Sequence, residues 1–132
     1  MKSLIVEDDF TSRLLMQKFL APYGESHVAV NGKEAVAAFK NAISLGEPYH
    51  LVCLDIMMPE VDGHTALKEI RTFEESIGTL LGDGAKVIMT TALYDMNNKL
   101  TAIKGFCDAY LVKPVDRSKL LDLLHSFGLI KV

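Results

Sequence analysis

Cysteine is scarce in this chain of 132 residues: only Cys53 and Cys107 occur, in or beside apolar segments and at no metal-binding spacing. That excludes a disulfide-stapled or zinc-built scaffold and leaves two buried thiols suited to a reducing compartment. Positive charge is scarce as well. Fourteen Lys and Arg against seventeen Asp and Glu give a net charge of -3, too few cations for a broad nucleic-acid surface. No apolar run approaches the ~20 residues of a membrane span. The opening MKSLIVEDD has a single lysine and turns acidic too early for a secretory signal. There is no internal repeat, low-complexity tract or linker, and the length is that of one domain, 1–132, without an output module. The expectation is a soluble, cytoplasmic, single-domain protein with neither membrane nor nucleic acid as partner.

What the chain does have is two kinds of apolar segment in alternation. SLIV (3–6), HVAV (27–30), HLVCLD (50–55), KVIMTT (86–91) and AYLVK (109–113) read as strands, and their lack of polar alternation suits a parallel sheet covered on both faces. Between them, Leu14, Leu15 and Phe19 mark a first helix. Val36, Phe39 and Ile43 mark a second behind Asn31 as cap, and Leu67, Ile70 and Phe73 a third. LYDMNNKLTAIKG (93–105) reads as a weaker fourth, closed by Gly105, and Leu120, Leu124 and Phe127 mark the last. Five such units predict a three-layer α/β sandwich with right-handed crossovers. EESIGTLLGDGA (74–85), with three glycines, is either an extended helix end or a loop.

In open α/β sheets the site lies beyond the carboxyl ends of the strands. The first strand brings Glu7, Asp8 and Asp9 there, the third Asp55, the fourth Thr90 and Thr91, and the fifth Lys113 before Pro114. Asp9 fits a helix cap. Capping explains too little of Glu7, Asp8 and Asp55, because crowded carboxylates repel and one would be driven toward protonation. A hard divalent cation such as Mg²⁺ resolves the crowding, held by one or two carboxylates with water and phosphate oxygens. The loop VEDDF lacks the glycines that bare N–H groups to a phosphate, which argues against a nucleotide or flavin site. A carboxylate beside a metal, a lysine and a hydroxyl can instead attack phosphorus and become an acyl phosphate. Asp55, alone at the end of the central strand, is the best candidate.

These residues carry a resemblance. LIVEDD, LVCLDIMMPEVDG, VIMTTA and YLVKP, in this order over nearly the whole chain, resemble the receiver domains of two-component response regulators. The resemblance implies a doubly wound, flavodoxin-like five-stranded parallel sheet of order 2-1-3-4-5 with helices on both faces. It implies Asp55 as phospho-acceptor and Lys113 as the ammonium that pairs with the phosphoryl group. It implies Mg²⁺ held by Asp8, Asp55, the main-chain carbonyl of Met57 and, through water, Glu7. Thr91 and Tyr110 fall at the switch positions, and Pro114 matches a proline whose peptide bond is typically cis in the family. The implied partners are a sensor histidine kinase or histidine phosphotransfer protein upstream. Downstream, a protein would read the face of the fourth helical stretch, fifth strand and last helix. The domain would be a signalling phospho-acceptor rather than an enzyme, apart from its own phosphorylation and dephosphorylation. The runner-up is an aspartyl-phosphate hydrolase or phosphotransferase of haloacid-dehalogenase type, which wants a second Asp where this chain has Met57. Residues 74–85 depart from the family by their length. The turn residues Pro59 and Gly63 have a turn-chemistry reading of their own.

Overall fold

The computed structural model describes residues 1–58, 62–80, 83–92 and 106–131. Five strands, β1 (Lys2–Val6), β2 (Glu25–Ala29), β3 (Leu51–Asp55), β4 (Lys86–Thr91) and β5 (Ala109–Val112), pair in the order β2-β1-β3-β4-β5, every pair parallel. The helices described are α1 (Phe10–Leu20), α2 (Gly32–Ser44), α3 (Gly63–Ser76) and α4 (Arg117–Ser126). Pro59 and the helical stretch expected over 93–105, with its Gly105 cap, lie outside the described residues. The expected sheet, order and layers are all present.

Side chains of successive strand residues point to opposite faces, so each apolar run feeds two cores at once. Leu4, Val6, Val52, Leu54, Val87 and Met89 meet α2 and α3 through Val36, Phe39, Leu67 and Ile70. Ile5, Leu51, Cys53, Ile88 and Leu111 meet α1 and α4 through Met16, Leu20, Leu120 and Leu124. One expectation is corrected here: Leu14 and Leu15 are exposed, and α1 turns Met16 and Leu20 inward with Phe19 partly buried. At about 100° per residue, Leu14 and Leu15 fall off the stripe that Met16 and Leu20 define. Also, β2 starts two residues before the apolar run, because Glu25 and Ser26 pair with Lys2 and Ser3 of β1.

The four described α-helices all start on an Asx cap. Asp9 accepts from the Ser12 N–H, Asn31 from Glu34, Asp62 from Thr65 and Asp116 from Lys119. Each cap contributes about 1 kcal/mol and fixes where the chain leaves the sheet edge. The Asp62-Gly63 pair is therefore a helix start, and Gly63 is there for space. A Cβ at residue 63 would collide with the main chain of Asp55 and Ile56, while the Gly63 N–H donates to the Ile56 carbonyl at 3.0 Å. The helix that follows the central strand packs directly against the strand's last residues.

The long stretch after α3 resolves into a helix end and a pinned loop. α3 stops at Ser76, and Glu74 in its last turn is buried. Its carboxylate accepts from Arg71 at 2.7 Å and from the Ala85 N–H at 2.9 Å, while its carbonyl accepts from Thr79 N–H. Arg71 also donates to the carbonyls of Ala85 (2.9 Å) and Phe106 (2.8 Å) and to Asp108 (3.0 Å), whose carboxylate accepts from Val87 N–H. One guanidinium thus ties α3 to the starts of β4 and β5.

Candidate functional site

The all-parallel topology brings the carboxyl ends of the strands to one edge, and the side chains there converge. Lys113, the residue after β5, places Nζ 2.6 Å from Glu7 Oε2 and 3.0 Å from Asp55 Oδ2. Glu7 and Asp55 are each only 4% exposed, whereas Asp8 is exposed beside them. One carboxylate oxygen from each of Glu7, Asp8 and Asp55 lies within 4.8 Å of the others. Asp55 is also held by the Met57 N–H, 3.2 Å from its Oδ1. The acidic loop is stitched to α1: Asp9 N–H donates to Glu7 Oε1 at 3.1 Å and Arg13 donates to the Glu7 carbonyl at 3.2 Å.

Electrostatics follow from the count of charges. Burial pushes the Glu7 carboxyl up from 4.5 to about 7. The Lys113 hydrogen bond opposes that rise, the charge of Asp55 adds to it, and the Asp9 N–H lowers it a little. Burial alone would lower Lys113, but its bonds and charge contacts with Glu7 and Asp55 outweigh burial and hold the ammonium above its ordinary value. Both shifts have one origin. Buried carboxylates outnumber the single ammonium, so keeping a proton on Lys113 and adding one to Glu7 relieve the same negative surplus. A hard divalent cation would relieve it better, and an all-oxygen donor set suits Mg²⁺.

The expected residues are not all gathered. Glu7, Asp8, Asp55 and Lys113 meet, and Met57 occupies the bend directly after β3. Thr91 is fully buried at the end of β4, with its hydroxyl on the Ala92 carbonyl at 3.2 Å rather than on Asp55. Tyr110 stands on β5, the edge strand, and is 49% exposed. The Lys113–Pro114 peptide is cis. Sequence reading missed Arg13. Its place on the inner stripe of α1 emerges only once Met16 and Leu20 are seen to face the sheet.

The family model of the response regulator receiver domain matches residues 3–125. The chain belongs to that family. It is 32% identical over 125 residues to chemotaxis protein CheY of Bacillus subtilis, covering 93% of each chain. Against the osmosensing histidine protein kinase SLN1 of Saccharomyces cerevisiae it is 30% identical over 128 residues, which is 96% of this chain and 10% of the kinase. It spans 47% of a probable transcriptional regulator ycf27 of Porphyridium aerugineum at 31% identity. Among solved structures it resembles the Saccharomyces cerevisiae Ssk1 receiver domain, crystallised with the histidine phosphotransfer protein Ypd1. The TM-score is 0.81 and the identity 29%, over 97% of this chain and 88% of that one. A CheY-like receiver of Methanospirillum hungatei superimposes with a TM-score of 0.76 at 26% identity, over 97% and 92% of the two chains. Receiver domains are signalling phospho-acceptors of two-component systems, and the haloacid-dehalogenase alternative is not favoured. No helix among the described residues is long and apolar enough to cross a membrane.

Proposed function

We propose that this receiver takes a phosphoryl group onto Asp55 from a phosphohistidine and changes its partner-binding face in response. The observation that carries the reading is the position of Lys113 Nζ, bonded to both buried carboxylates at 2.6 and 3.0 Å. An ammonium anchored there lies beside any phosphoryl oxygens brought to Asp55, and holds them for in-line attack. In the transfer a carboxylate oxygen of Asp55 forms the O–P bond as the donor's P–N bond breaks. The bonding pair leaves with the imidazole nitrogen, which regains a proton from solvent. The Met57 N–H and Lys113 hold the carboxylate from two sides, so it attacks from a fixed position. Asp8, Asp55, the Met57 carbonyl and, through water, Glu7 would hold Mg²⁺, which would supply further neutralisation of the phosphoryl charge.

Upstream, a sensor histidine kinase or histidine phosphotransfer protein would serve as donor. For the response, Thr91 would turn its hydroxyl from the Ala92 carbonyl to the phosphoryl oxygens, and Tyr110 would leave its half-exposed position for the space vacated. This shifts an existing equilibrium rather than building a new fold. The face read by the downstream protein would include β5 and α4 together with residues 93–105. Intact mass after incubation with acetyl phosphate and Mg²⁺ tests the core of the proposal. One added phosphate is expected, absent with EDTA and absent in Asp55→Asn. Undiminished modification of Asp55→Asn would refute the assignment.

A further inference from the structure

Arg13 lies on the sheet-facing stripe of α1, three residues before Met16 and seven before Leu20, both buried. It is thus one turn closer to the acidic edge than the last apolar residue of that stripe. The stripe runs out over the end of β1, and there Arg13 donates to the Glu7 carbonyl at 3.2 Å, its Cζ 5.5 Å from the centroid of the Phe10 ring. Its own N–H donates to the Asp9 carbonyl at 2.9 Å. The backbone of Arg13 is thus bonded within the first turn of α1, and its guanidinium is fixed to the loop that carries Asp8 through the Glu7 carbonyl. Among the described residues, no ion pair within 4.0 Å includes it. A carbonyl and an aromatic face hold the guanidinium in place. Its charge acts through space on the acidic loop, where it adds to the Ser12 hydrogen bonds that lower the Asp9 carboxyl, instead of being closed off in a contact ion pair.

A fixed, unpaired cation beside an acidic pocket acts with opposite sign on the two ligands that the proposed function requires. Resting on that reading, we propose that Arg13 is a positioning residue that trades divalent-cation affinity for capture of the anionic phosphodonor. It weakens the hold on Mg²⁺ and draws in a doubly charged phosphate compound. For a double charge at about the Debye length, Coulomb's law screened by salt gives about a two- to fivefold effect on each. A residue that merely braced the loop would produce the opposite pattern, because its loss would weaken both ligands together.

The test uses the full chain with Arg13→Gln, which keeps a donor for the Glu7 carbonyl, and Arg13→Lys, which keeps the charge. Isothermal titration with Mg²⁺ alone gives its Kd, and the initial rate of Asp55 phosphorylation by acetyl phosphate at saturating Mg²⁺ gives KM and kcat. In Arg13→Gln we expect the Mg²⁺ Kd to fall and the acetyl phosphate KM to rise, each by about two- to fivefold. Little change is expected in kcat, both effects should shrink at high salt, and Arg13→Lys should restore both. Weakening of both ligands, no change in either, or failure of Arg13→Lys to restore them overturns the proposal. If the wild-type chain takes up no phosphate, the phosphorylation reading fails instead, and the Mg²⁺ titration alone decides on Arg13: an unchanged or raised Kd in Arg13→Gln overturns it.

Discussion

Replacing Arg71 by Met should be among the most damaging single changes away from the acidic edge. The guanidinium makes four hydrogen bonds, to Glu74, Ala85, Phe106 and Asp108, at 2.7 to 3.0 Å. Its side chain is 19% exposed and that of Glu74 only 8%, so methionine would strand a buried carboxylate, leaving it the Ala85 N–H among the described residues. Removing one partner of a buried pair costs about 3–5 kcal/mol, and the part-exposed Asp108 contact adds little, so the lower end, about 3 kcal/mol, is the expectation. With a urea m-value of about 2 kcal/mol/M, the unfolding midpoint should fall by about 1.5 M. Glu74→Gln keeps an acceptor for Ala85 and should cost only about 1 kcal/mol. In the double variant no charge is left stranded, so its cost should be less than the sum of the two single costs. The reasoning is refuted if Arg71→Met costs under about 1 kcal/mol or if the two costs simply add.

Two further outcomes follow from the titrating groups. In the metal-free protein the folded pKa of Glu7 lies above the unfolded one, at about 7 against 4.5. The stability it contributes is therefore fully present below pH 4.5 and lost as pH rises through about 7. Tm measured in EDTA should fall across that window and Glu7→Gln should flatten the fall; identical slopes would remove Glu7 as the cause. Burial pushes the fully buried Cys53 thiol up to about 12, and burial followed by the Asp108 charge raises half-buried Cys107. Ellman's reagent should therefore modify Cys107 slowly and Cys53 only after unfolding. Two fast thiols in the native protein would contradict the packing.

Periodicity made the sheet legible because a strand buried on both faces carries an unbroken apolar run, as Leu4–Val6 of β1, Leu51–Leu54 of β3 and Val87–Met89 of β4 do. Asn31 and Asp9 were legible as caps for a similarly local reason, since the bond closes within three residues. Leu14 and Leu15 misled because an apolar residue is compatible with either side of a helix, and only the position of Met16 against Ile5 and Cys53 decides. The polar start of β2 is set by its partner, which no property of Glu25 or Ser26 announces. At the site, the strand-end carboxylates and Lys113 could be read because chain topology alone brings them to one edge. The resting bond of Thr91 to Ala92 depends on a rotamer, and the Arg71 hub on side chains up to 37 residues apart. Neither leaves a trace in spacing.

Gly63 carries a consequence for how the domain can change through evolution or design. With the main chain of Asp55 filling the space where a Cβ would sit, even alanine would push the first turn of α3 away from the end of β3. The displacement would move the very backbone that aims the Asp55 carboxylate, the proposed acceptor. A substitution at a residue that touches no ligand would then surface as a defect in phosphate uptake, with the fold largely kept. Variation at residue 63 is barred by chemistry eight positions upstream, whereas the exposed surface of α3 at Lys68 and Glu69 is at liberty to diverge.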